Sequence, residues 1–274
     1  MTMIGGTAWP RRALFGVVGL IYAFMLGPIL ITATVSFNWA ERSYFPPRGF
    51  SLQWWGRAFS PEWMGSFVFS LELAALSAVA TAIAGLPLAL ALTRHRFPGR
   101  AAIQAAALGP LVLPSLITGI ALLQFLTLAG LGDWIGLPAL VIGHAVICLP
   151  FSVRTIAISL QSIPLTAERA AASLGASPWR VFREMTLPLA KPGIGAGMIF
   201  AFISSFVDVN LSLFVASPQQ QPLTVKIMHF LDYGFSPTLA ALSILSMAVP
   251  LLLVAVFGRA VGIGNFLFGG GAHG

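Results

Sequence analysis

The stretch Ala167–Gly193, AERAAASLGASPWRVFREMTLPLAKPG, is a charged insertion in a chain that is otherwise almost continuously apolar. Its residues predict two short helices separated by a turn. Thr166 is placed to cap the first, its hydroxyl accepting from an orphan backbone N–H. Glu168 falls in the first turn, where the positive helix end favours an acid. Gly175 is the expected stop. Ser177 then caps a second helix opening at Pro178, whose fixed φ and missing N–H suit the first helical position. Ala170 with Leu174, and Val181 with Met185, pair at i,i+4 and leave Arg180, Arg183 and Glu184 to polar surroundings. Leu187-Pro188 closes the unit, because the residue before a proline is biased away from helix. A protein that only spanned a bilayer would have little use for such a loop. It reads as a docking surface rather than a catalytic site.

Outward from this loop the chain is membrane protein. Of its 274 residues 57% are hydrophobic and 8% charged, against roughly 25% charged in a soluble domain, and the mean hydropathy is +0.90. Spans are predicted at Ala13–Ser36, Phe67–Leu92, Ala101–Ala129, Leu137–Ile156, Pro192–Ala216 and Thr238–Phe257, each long enough for a hydrocarbon core of ~30 Å. The expected fold is all-α, with about six transmembrane helices and the polar loop between the fourth and fifth. The formal charge of +7 does not indicate nucleic acid, which needs a clustered basic face on a soluble module. Arg11, Arg12, Arg94, Arg96, Arg100, Arg154, Arg169, Arg180, Arg183, Lys191 and Arg259 fall on one side, and only Arg42, Arg48, Arg57 and Lys226 on the other. The positive-inside rule therefore places both termini and the loop in the cytoplasm. The first span is longer than a signal-peptide core and reads as a retained helix. Trp39, Trp54, Trp55 and Trp63 of the external connection suit the headgroup layer, or a contact with an extracytoplasmic partner.

In the fifth span Asp208 has apolar neighbours on both sides. At ~100° per residue, Ser204, Ser205, Asp208 and Ser212 fall within one arc, with Asn210 pointing elsewhere. A charge in hydrocarbon costs several kcal/mol unless it faces an interior or a wet cavity, so this stripe is expected to line a pathway or a subunit interface. Asp208 either packs against a neighbouring donor or offers negative charge to a cationic substrate. Glu72 near the outer end of the second span reaches the interface. His144 reads as a hydrogen-bonded core histidine, and Cys148 one turn on is too little with it for a metal site, which needs three or four ligands. Pro110 and Pro114 are expected to kink the third span, and Gly193 with Gly197 to allow close helix packing. No phosphate-binding loop is present: the lysines, Lys191 and Lys226, are followed by Pro192 and Ile227. Energy must come from a partner or an ion gradient.

The polar loop resembles that of the permease subunits of type I ABC importers, whose signature is Glu-Ala-Ala, three residues, Gly, nine residues, an aliphatic residue, one residue and Leu-Pro. Ala170, Ala171, Gly175, Met185, Leu187 and Pro188 fit this spacing, while Arg169 stands at the glutamate position with Glu168 one place earlier. From Phe67 to Arg259 the chain is similar to the spermidine/putrescine permeases, through ALALTRHRFPGR, LVLPSLITGIALL, HAVICLPFSVRT and MIFAFISSFVDVNLSLFV. The resemblance implies an N-terminal helix and external loop over 1–65, a permease core over 66–260 with a coupling loop at 157–191, and a Gly-rich cytoplasmic tail over 261–274. It further implies a bacterial inner-membrane protein with no cofactor of its own. The expected partners are a second, homologous permease in a heterodimer, two cytoplasmic ATPase subunits that bind ATP-Mg, and an extracytoplasmic substrate-binding protein. The ATPase-coupling residues would be Glu168, Arg169, Ala170, Ala171, Gly175, Leu187 and Pro188, with either Glu168 or Arg169 supplying the ionic contact. The substrate would be a polyamine or related cationic amine. Read from the residues alone, an ion-coupled secondary transporter or channel, or a non-transporting membrane scaffold, stays open.

Overall fold

A computed structural model describes residues 11–41, 45–47, 49–232 and 234–260. The predicted tail at 261–274 lies outside the described residues, as do Arg42 and Arg48 of the orientation count. Among the described residues there are twelve α-helices, in order: α1 Arg11–Val35, α2 Gln53–Ala58, α3 Pro61–Arg94, α4 Arg100–Leu108, α5 Ser115–Leu128, α6 Leu137–Gln161, α7 Leu165–Ser173, α8 Pro178–Val181, α9 Leu187–Val207, α10 Ser212–Val215, α11 Leu223–Leu231 and α12 Pro237–Ala260. Among the described residues five helical runs are long and apolar enough to cross a membrane, and a sixth results if the bent pair Arg100–Leu111 and Ser115–Leu128 is one span. The chain divides into a unit of residues 1–60 and 233–248 and a unit of residues 61–232 and 249–274.

In the smaller unit the tryptophans have separate fates. Trp54 is buried and its indole N–H donates to the Asn38 carbonyl at 2.6 Å. Trp55 stacks on Phe37 at 5.6 Å, while Trp39 is two-thirds exposed. The expectation of headgroup anchoring is therefore corrected for Trp54: its polar atom has a fixed partner inside the fold. Trp63 of the larger unit is buried as well.

The larger unit is organised by α3, α6 and α9. Ala89, Leu92, Val153, Ile156, Leu160 and Ala190 form one apolar cluster among them. Close approach of α9 to α6 depends on two glycines: a Cβ on Gly193 would sit 2.5 Å from the Thr155 carbonyl oxygen, and one on Gly197 2.8 Å from Ser152 Oγ. The predicted Ala101–Ala129 span is not one kinked helix. Its halves bend by 107°, because Pro110 and Pro114 withdraw two N–H donors and Pro114 drives Leu113 out of helical geometry.

The loop region also departs from expectation at two points. The first helix is capped by Pro164 without a side-chain bond, so Thr166 lies inside it rather than before it. At Leu187-Pro188 the chain does not turn. A π-helical segment, Phe182–Thr186, joins α8 to α9, giving one continuous run Pro178–Val207 of 30 residues. Pro188 lies in the first turn of α9, directly after the π segment.

Candidate functional site: a helix break in the membrane and a capped helical elbow

The predicted fifth span, Pro192–Ala216, ends nine residues early, because α9 stops at Val207 and Asp208 adopts extended geometry with ψ of 132°. The chain re-enters helix at Ser212, and Asp208 supports the turn. Its Oδ2 accepts from the N–H of Leu211 at 3.0 Å, the N–H of Ser212 at 3.1 Å and the hydroxyl of Ser212 at 3.3 Å. Leu211 is thereby driven between two glycines, within 2.9 Å of where a Cβ on Gly119 of α5 or on Gly143 of α6 would lie. Thr224 donates to the Asp208 carbonyl at 2.8 Å.

Fully buried His144 of α6 secures the break from the other side. Its Nδ1 is 2.5 Å from Ser205 Oγ and its Nε2 is 3.0 Å from Ser212 Oγ, with Asp208 Oδ2 at 3.6 Å. Since the Ser212 hydroxyl donates to Asp208, its oxygen accepts from Nε2–H, and Nδ1 is left to accept from Ser205. The stripe expected on one helical face is therefore split. Ser205 turns to the histidine and Ser212 bridges the histidine and Asp208, whereas Ser204 and Asp208 line a cavity of about 470 Å³ with Ser115, Cys148, Phe151 and Asn210. Asn210, expected to point elsewhere, faces this same space. The difference has one physical cause: α9 ends at Val207, so the helical angle does not continue through Asp208 to Asn210 and Ser212.

At the far end of α9, the glycine expected to stop the first loop helix does so. Gly175 has φ of +89°, its N–H bonds the Ala172 carbonyl at 3.0 Å and the N–H of Ala176 bonds Ala171 at 3.2 Å, the paired closure of a Schellman motif. Ser177 accepts from the N–H of Arg180 at 3.3 Å and caps α8 as expected. Glu168 is turned inward. It pairs with Arg94 at 2.9 Å and accepts from Thr186 at 3.2 Å. Arg94 also bonds the Leu160 and Ile163 carbonyls, so one guanidinium ties α3 to the end of α6 and to α7. Sequence reasoning missed Arg94, whose partner is 74 residues away. Arg169, by contrast, is exposed and, among the described residues, has no ionic partner. Ala170 is exposed beside it, Ala171 partly buried, Leu187 partly buried and Pro188 exposed. Leu174 is 90% and Trp179 67% exposed, so the elbow between α7 and α8 presents apolar side chains with a cationic neighbour.

Helices of membrane-crossing length, an acid at a helix break over a cavity, and a capped elbow at the opposite helix end make this a multi-span membrane protein with an acid-lined cavity. Residues 82–262 match the sequence profile of the family described as binding-protein-dependent transport system inner membrane component. The chain belongs to this family and is a permease subunit of an ABC importer, a multi-pass inner-membrane protein and a transport component of a larger assembly. It is 32% identical to the spermidine/putrescine transport system permease protein PotC of Escherichia coli (strain K12) over 242 residues, 87% of this chain and 90% of the relative. It is also 32% identical to the putrescine transport system permease protein PotI of the same strain over 230 residues, 82% of each. The fold is shared with a bacterial alginate ABC transporter in complex with its alginate-bound periplasmic protein, at a TM-score of 0.70 and 17% identity over 90% of this chain and 92% of that one. It is shared too with the inward-facing MetNI methionine ABC transporter, at 0.62 and 21% identity over 75% and 99%.

Proposed function

We propose that this subunit forms half of the translocation pathway for a small cationic amine of the polyamine class, and that Asp208 meets the cation. The carrying observation is the division of labour within one carboxylate. All the hydrogen bonds that Asp208 accepts at the turn fall on Oδ2; among the described residues Oδ1 accepts none, and no lysine or arginine neutralises the group. A primary ammonium entering the cavity finds that oxygen, the Ser204 hydroxyl, the Asn210 amide and the face of Phe151. The names of PotC and PotI, which specify spermidine and putrescine, support the same substrate class.

The assembly that fits this reading contains a second, homologous permease in a heterodimer, two ATPase subunits that carry ATP-Mg, and an extracytoplasmic binding protein. Both termini and the elbow face the cytoplasm. With Glu168 spent on Arg94, Arg169 is the residue available to an acid of the ATPase, while Leu174 and Trp179 supply apolar contact. The test is uptake of radiolabelled spermidine by the reconstituted complex. Asp208→Asn is expected to lower uptake by about 10-fold or more, the worth of a charged hydrogen bond, with assembly intact. Unchanged uptake would reduce Asp208 to a structural residue. Flux through proteoliposomes holding this chain alone would favour a secondary transporter instead.

A further inference from the structure

A cavity of about 300 Å³ lies between the loop-bearing end of α3, α4 and α6, away from the site described above. We infer that it binds a phosphate-bearing anion, favouring the headgroup of an anionic phospholipid. Arg100 and Gln104 of α4 line one wall, and Arg154 and Gln161 of α6 the other; no aspartate or glutamate is among the lining residues. Within each pair the spacing puts guanidinium and amide on one helix face, at i,i+4 on α4 and i,i+7 on α6. Two forks and two amides thus converge from opposite walls.

The guanidinium of Arg100 is held in place, because Nε at 3.1 Å and Nη2 at 2.6 Å both donate to the Leu92 carbonyl, leaving Nη1 unspent. Among the described residues Arg154 has no hydrogen bond or ion pair. It lies seven residues before the end of α6 and is exposed at the mouth of the cavity, so its whole guanidinium is free to meet an anion entering there. The nearby acid, Glu168, is already taken by Arg94. A phosphodiester places one full negative charge on two non-bridging oxygens for the guanidinium groups, and the hydroxyls of a glycerol headgroup beside it suit the amides of Gln104 and Gln161. A lipid is the favoured source because α4 and the turn after it expose Ile103 and Val112, leaving acyl chains an apolar path beside the headgroup.

The test uses the complete importer, purified in detergent and stripped of lipid. Native mass spectrometry with added phosphatidylglycerol or phosphatidylcholine is expected to show preferential retention of phosphatidylglycerol. Arg154→Gln should weaken that retention about tenfold or more, Arg154→Lys should give an intermediate loss, and phosphatidylcholine retention should not change. If phosphatidylglycerol is not preferred but millimolar inorganic phosphate raises the melting temperature of the wild type and not of the variant, the anion is a soluble phosphate at the same site. Equal retention of the two lipids with no phosphate shift overturns the proposal. So does dissociation of the Arg154→Gln complex into separate folded subunits, which would make the cavity a protein interface. If Arg154→Gln fails to accumulate, Gln104→Ala with Gln161→Ala carries the same measurements.

Discussion

Gly175 has a positive φ, and a Cβ added there meets nothing within 4 Å. The cost of a side chain is therefore conformational, about 1–2 kcal/mol, and falls on the closure between α7 and α8 rather than on packing. Gly175→Val is expected to insert normally and to keep ATP hydrolysis in the purified complex while uptake falls severalfold; uptake at the wild-type ratio to hydrolysis would refute a coupling role. Asp208 invites a finer distinction. Asn retains an oxygen for the turn at Leu211 and Ser212, whereas Ala removes the cap as well, a further loss of about 1 kcal/mol. Asp208→Asn should therefore lose transport at wild-type thermal stability, and Asp208→Ala should lose both.

Among the elements, α6 and α9 are held by shape. Gly193→Leu would drive a side chain into the Thr155 carbonyl and the Ser159 hydroxyl, and about 1–3 kcal/mol of destabilisation is expected. A lowered melting temperature in detergent checks it, and an unchanged one would mean that the helices separate freely. This contact was legible beforehand, since small residues four apart in an apolar run have few other uses. So were the Gly175 stop and the Ser177 cap, each a local rule acting over a few residues. The ends of α9 were not. Asp208 ends the helix through bonds to residues beyond it and through His144, 64 positions earlier in the chain, and hydropathy does not register such contacts. The inward turn of Glu168 was equally hidden, because Arg94 belongs to another helix. Local chemistry was readable, and the acid's choice of partner required the fold.

For the molecule as a whole, the elbow is the natural place to look for assembly. Leu174→Glu combined with Trp179→Glu replaces exposed apolar surface with like charges, and co-purification of the ATPase subunit with the tagged chain is expected to be lost while membrane insertion persists. Retained co-purification would move the contact elsewhere. The run from Pro178 to Val207 connects that elbow to the break at Asp208 over roughly 45 Å. Within it the π turn at Phe182–Thr186 holds one residue more than an α turn, and that residue sets the phase of everything beyond it. Deleting one residue there would restore regular α-helix and rotate α9 by ~100° relative to α8. Helix content by circular dichroism should remain, but the glycines would face away from α6 and uptake should be abolished. The π turn is thus an angular spacer, fixing which face of the transmembrane segment answers a push at the elbow.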